Sequence, residues 1–179
     1  DTLAIAVSTA ALAAWIFFPA HFASGALMIA AAALNAARLL RWAGERAARD
    51  PLVLILHIAF CFVPVGFFLA GLAVILPDNV PSAAGLHAFG VGAMGSMTLA
   101  VMTRATLGHT GRALAASPGT CMIYAAILAA AVFRIAAAFL PGNDLLLHLS
   151  VAAWAAAFLG YVGLFGGMLS RPRLGGRPS

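Results

Sequence analysis

Lysine is absent from the 179-residue chain, and all ten of its basic residues are arginine. Acidic residues number five, so charged side chains make up 8% of the sequence, against about 25% in soluble domains. A chain so poor in charge cannot cover itself with a water-facing surface, which excludes an ordinary soluble domain. The formal net charge of +5 comes from arginines gathered in short clusters between apolar segments. That distribution fits orientation in a bilayer and excludes a nucleic-acid-binding face. The two cysteines, Cys61 and Cys121, fall in or beside apolar runs; a disulfide framework is excluded and buried free thiols are expected. No paired carboxylates lie within a span, no phosphate loop is present, and no nucleophile stands beside a base. Hydrolysis and phosphoryl transfer are therefore excluded, and any catalysis would need a cofactor. No basic stretch precedes the first apolar run, so no cleavable leader is expected, and the start at Asp1 suggests a processed or truncated piece of something longer.

What the chain does have is hydrophobicity, 64% of its residues, in runs that match the roughly 20 residues a membrane-crossing helix needs. Six such runs read as helices: 2–18, 21–41, 52–76, 82–107, 119–140 and 145–170. Prolines and glycines punctuate them: Pro19, Pro51, Pro77, Pro118 and Pro141 at the ends, Gly108 after the fourth, and Pro64 as an expected kink inside the third. The fold class predicted is an all-α membrane protein, one domain over 1–179, a bundle of six transmembrane helices with short loops. Arg41, Arg46 and Arg49, then Arg104 and Arg112, then Arg171, Arg173 and Arg177 all fall toward one membrane face; the loops near His21, Asp78 and Asp144 carry no arginine. By the positive-inside rule both termini are cytoplasmic.

The fourth run repeats small residues at every fourth position, Ala84, Ala88, Gly92, Ser96 and Ala100. Residues four apart share a helical face, so this stripe predicts a groove for close helix approach and a central place in the bundle. The roughly opposite face carries His87, Met94, Thr98 and Ala105 and is free to border a cavity or cofactor. The loop Gly108-His109-Thr110-Gly111-Arg112 reads either as a helix stop, with Gly108 as a left-handed cap, or as a tight pocket for an anion or metal.

Imidazole serves haem iron and copper alike, which makes the five histidines the metal-ligand candidates: His21, His87 and His148 near the arginine-poor ends of helices two, four and six, His57 and His109 near the arginine-rich side. A single histidine is more often a hydrogen-bonded packing residue, but His87 and His148 sit at matched depth on different helices, as a bis-imidazole haem requires. His57 with Cys61 forms an i, i+4 pair that offers nitrogen and sulfur, or simply a thiol beside a ring. Arg134, in helix five, costs about 2.5–3.5 kcal/mol near mid-bilayer unless paired. It either snorkels, reaching toward Asp144, or receives a haem propionate in its planar fork. Arg104 poses the same choice at the other end.

The run HAFGVGAMGSMTLAVMTRATLGHTGR, from His87 to Arg112, resembles the hallmark segment of the NnrS family of bacterial membrane proteins. The start of helix three around His57, Arg134, Trp154 and the closing RPRLGG agree with it. The resemblance implies a C-terminal half of members about twice this length, so that the other half of a longer chain would be a partner. It further implies a haem- and copper-containing protein of the bacterial inner membrane, linked to nitric oxide metabolism and nitrosative stress and acting on nitric oxide or a small nitrosyl species. From depth and chemistry, not from the resemblance, His87, His148, His57, Arg134 and Arg104 are the expected cofactor contacts, and His87, His148, His57, His109 and His21 the expected metal ligands. Two other classes stay open: a transporter or metal-delivery protein, and a membrane partner for a reductase.

Overall fold

A computed structural model describes residues 1–42 and 44–172. It is all-helical. We number the helices α1 (Thr2–Phe17), α2 (Phe22–Arg41), α3 (Pro51–Ile75), α4 (Ser82–His109), α5 (Pro118–Phe139) and α6 (Asp144–Leu169), with a short 3₁₀ segment, Gly44–Arg49, before α3. The last five are long and apolar enough to cross a bilayer; the 16 residues of α1 reach about 24 Å at 1.5 Å each, short of the roughly 30 Å hydrocarbon core.

Each boundary has a local cause. Pro51 and Pro118 sit in the first turn of α3 and α5, where a missing N–H costs nothing. Asp50 and Ser117 cap those helices, accepting from the backbone N–H of Leu52 at 2.9 Å and of Thr120 at 3.2 Å. Pro64 lies inside α3 and is buried. The expected left-handed cap of α4 is displaced: Gly111, with φ 73°, takes it, while Gly108 stays helical. The Arg112 N–H reaches back to the Leu107 carbonyl at 2.9 Å and that of Gly111 to Gly108 at 3.2 Å, a Schellman closure.

Consecutive helices run antiparallel. Asp1 at the start of α1 meets Arg38 and Arg41 at the end of α2, and Gly25 of α2 packs on Gly71 and Ile75 of α3. Gly119 and Gly160, at opposite ends of the paired stretches of α5 and α6, touch Leu164 and Ile123. The small-residue stripe of α4 is buried throughout, with Ala84, Ala88, Ser96 and Ala100 fully inaccessible. A methyl group on Gly85 would lie 2.7 Å from the Ala70 nitrogen, and one on Gly92 would lie 2.4 Å from the Phe62 ring, so α3 approaches α4 as closely as glycine permits. From Ala88 to Gly95 α4 is a π-helix, a rare form that gathers at functional sites. The hydroxyl of Ser96, immediately after it, is buried without a partner among the described residues.

Hydroxyls join the helices where lipid offers no competing partner. Thr103 of α4 bonds Tyr124 of α5, Thr106 bonds Tyr161 of α6 at 2.7 Å, and the Ser150 hydroxyl donates to the Ala130 carbonyl at 2.9 Å. The outer surface is apolar, with Val132, Val151, Leu159 and Val162 all exposed, a face suited to acyl chains and unsuited to water. Cys61 and Cys121 are free, as expected, but lie on this surface and are not buried; both positions fall on the outward side of their helices.

Candidate cofactor site

Three side chains stand at the same end of the bundle, on three different helices. His87 is the sixth residue of α4, His148 the fifth of α6, and Arg134 the sixth from the end of α5. At about 1.5 Å per residue all three stand at one level, within two turns of the helix ends. The helix α5 packs against the first turns of α4 and along α6, so Arg134 is on the helix between the two imidazoles. His87 and Arg134 are half-buried, on helices that pack together at this end.

Arg134 forms no ion pair among the described residues; the contact with Asp144 that its position allowed is not made. It is thus a cation within the span, beside a second potential cation, with no carboxylate to offset it. That arrangement is unfavourable in a low-dielectric medium unless an anion pairs with the guanidinium or its long stem carries it to the interface. His148 is exposed, and its Nδ1 donates to the Asp144 carbonyl at 2.7 Å. This contact fixes the tautomer and leaves the Nε2 lone pair free to bind a metal.

The second group lies at the arginine-rich end. Among the described residues the ring of His57 makes one polar contact, its Nδ1 at 3.5 Å from the Val53 carbonyl, and its buried Nε2 has no hydrogen-bond partner. The ring is half-buried under Gly44 and edge-on to Trp42 at 6.1 Å. Cys61 does not turn its sulfur to the imidazole; its thiol donates to the His57 carbonyl at 3.3 Å. His109 is exposed at the last residue of α4. Arg104 is half-buried one turn earlier. His21 belongs to neither group: it caps α2, its Nδ1 accepting from the Ala23 N–H at 3.2 Å.

Among the described residues no three His, Cys, Asp or Glu side chains gather as a ready metal cage. The face of α4 bearing His87, Met94 and Thr98 looks out of the bundle, with Met94 70% exposed. Arg173 and Arg177, counted for orientation, lie outside the described residues, as does the side chain of Arg46.

Several polar features had no place in the sequence reading: the Thr–Tyr pairs, the π-helix, and Asn35, buried in α2 with its amide donating to Ser8 of α1 at 2.8 Å. The threonine and tyrosine spacings were visible, yet a pairing between helices is not. No curated protein and no solved structure matches the chain. The family model described as NnrS protein matches residues 1–173, and on that near-complete match the chain belongs to the NnrS family.

Proposed function

We propose that this chain is a haem-binding protein of the bacterial inner membrane serving the response to nitric oxide, with both termini on the cytoplasmic side. Family membership fits a nitric oxide response protein. The observation that carries the cofactor assignment is Arg134, unpaired within the span at the level of His87 and His148. A porphyrin propionate is the anion that such a fork receives bidentately. His87 and His148 hold the iron, and Arg134 orients the group and offsets its charge. Bound there, haem supplies an iron centre that takes up nitric oxide or passes an electron.

His57, with its unpartnered Nε2, and His109 are the residues for a copper ion at the arginine-rich end, imidazole being a suitable copper ligand. Arg104 lies at the same end as an orientation signal. The orientation follows from Arg41, Arg49, Arg104, Arg112 and Arg171, all at the end where both termini emerge.

The experiment is haem titration of the purified protein and of Arg134→Gln. The wild type is expected to develop one equivalent of Soret absorbance. The variant should bind more weakly by about 1.5–3 kcal/mol, the worth of a hydrogen bond to a charged group, with its spectrum unchanged because the iron ligands remain. Equal affinity in the two proteins would remove Arg134 from the site. Tight substrate uptake in vesicles with no chromophore would favour a transporter.

A further inference from the structure

A groove of about 530 Å³ runs along the side of the bundle, from Arg38 near the arginine-rich end to Phe89 of α4, and His87 and His148 are not among its lining residues. Its walls are apolar, from Leu12 of α1, Val63 and Phe67 of α3 and Phe89 of α4, and Asn35 lies at its floor. Arg38 stands at its mouth. That guanidinium is held in place by stacking, 4.9 Å above the Trp42 ring and 5.6 Å from that of Phe60.

Its charge is poorly answered. Asp1 offers a single oxygen, 3.1 Å from Arg38 Nε and 3.3 Å from Arg41, so one negative charge faces two positive ones. The Arg38 contact falls outside hydrogen-bond geometry, and its buried Nε has no acceptor among the described residues. A fixed donor at the level of the interface, heading an apolar trough that runs toward mid-bilayer, matches an amphiphile with an anionic head and a long hydrocarbon tail.

We propose that this groove is a binding site for one anionic phospholipid, its phosphate on Arg38 and Arg41 and one acyl chain along Leu12, Val63 and Phe67. The charge selects the head and the trough selects the tail. Neither feature is needed by the histidine sites, so the proposal stands or falls apart from them.

The test is native mass spectrometry of the purified chain in detergent, with phosphatidylglycerol or phosphatidylcholine of identical acyl chains. The wild type is expected to retain one phosphatidylglycerol, at least about fivefold more strongly than phosphatidylcholine, as one arginine at a membrane surface provides. Arg38→Gln should abolish the preference while leaving weak binding of either lipid. Val63→Trp, which fills the trough and leaves the arginines untouched, should expel the lipid. Equal retention of the two lipids by the wild type would overturn the proposal. So would undiminished phosphatidylglycerol binding by Val63→Trp, since the lipid would then sit elsewhere on the basic surface. The Val63 variant decides the matter even if Arg38→Gln fails to fold.

Discussion

Two glycines of the π segment, Gly90 and Gly92, lie two residues apart and should respond to alanine in opposite directions. A methyl at Gly90 meets nothing within 4 Å, whereas one at Gly92 would lie 2.4 Å from Cδ1, 2.5 Å from Cγ and 2.9 Å from Cβ of Phe62. The contact at Gly92 is with the root of the ring, so a swing of the ring tip cannot relieve it and α3 must move. Overpacking of this kind costs about 1–3 kcal/mol. Alanine in place of helical glycine returns about 0.5–1 kcal/mol at either site. Gly90→Ala is therefore expected to be neutral to stabilising by that amount, and Gly92→Ala to lose about 0.5–2 kcal/mol net. Reversible unfolding in sodium dodecyl sulfate, followed by tryptophan fluorescence, reads both. Adding Phe62→Ala should rescue part of the Gly92 loss, a coupling that places the defect at that contact. Equal stability of the Gly90 and Gly92 variants would refute the claim that α3 and α4 meet there at glycine distance.

Other outcomes are equally specific. Thr106→Val and Tyr161→Phe should each destabilise the bundle, with a coupling of about 0.6 kcal/mol in the double-mutant cycle, the average for hydrogen bonds between membrane helices; no coupling would mean that the pair at 2.7 Å contributes nothing. Gly111→Ala should cost about 1–2 kcal/mol because an L-residue must hold φ 73°, while Gly108→Ala should be harmless; limited proteolysis of the loop after α4 checks both. Cys61, a free thiol on the apolar surface ten residues into α3, should resist maleimide in intact membranes, where no thiolate forms, and react once dodecyl sulfate unfolds the protein; full labelling by a charged maleimide before denaturation would contradict its placement.

The helices were legible because prolines and apolar runs act locally. Pro51 and Pro118 impose their effect wherever they stand, and a stripe of small residues from Ala84 to Ala100 has little use except close packing. The common level of His87, Arg134 and His148 was legible too, since depth follows from counting residues along a span. Features set by hydrogen-bond register or by neighbours on other helices were hidden. Hydropathy does not distinguish a π turn from an α turn, so the Ala88–Gly95 segment left no mark. Sequence alone points to Gly108 as the left-handed cap, and only the bond from the Arg112 N–H to the Leu107 carbonyl moves that role to Gly111. Arg134 had an acid in range along the chain, Asp144, and only the packing of α5 against α4 sets it by His87 instead. The surface positions of Cys61 and Cys121 likewise depend on which side of α3 and α5 faces inward.

The central claim is that His87 and His148 are joint ligands of one haem. The absorption spectrum of the purified, haem-loaded protein, with His87→Ala and His148→Ala beside it, tests this most directly. The wild type should give a six-coordinate low-spin spectrum, and each single variant a five-coordinate high-spin one. A low-spin spectrum unchanged in both variants, or a wild type that takes up no haem, would contradict the account.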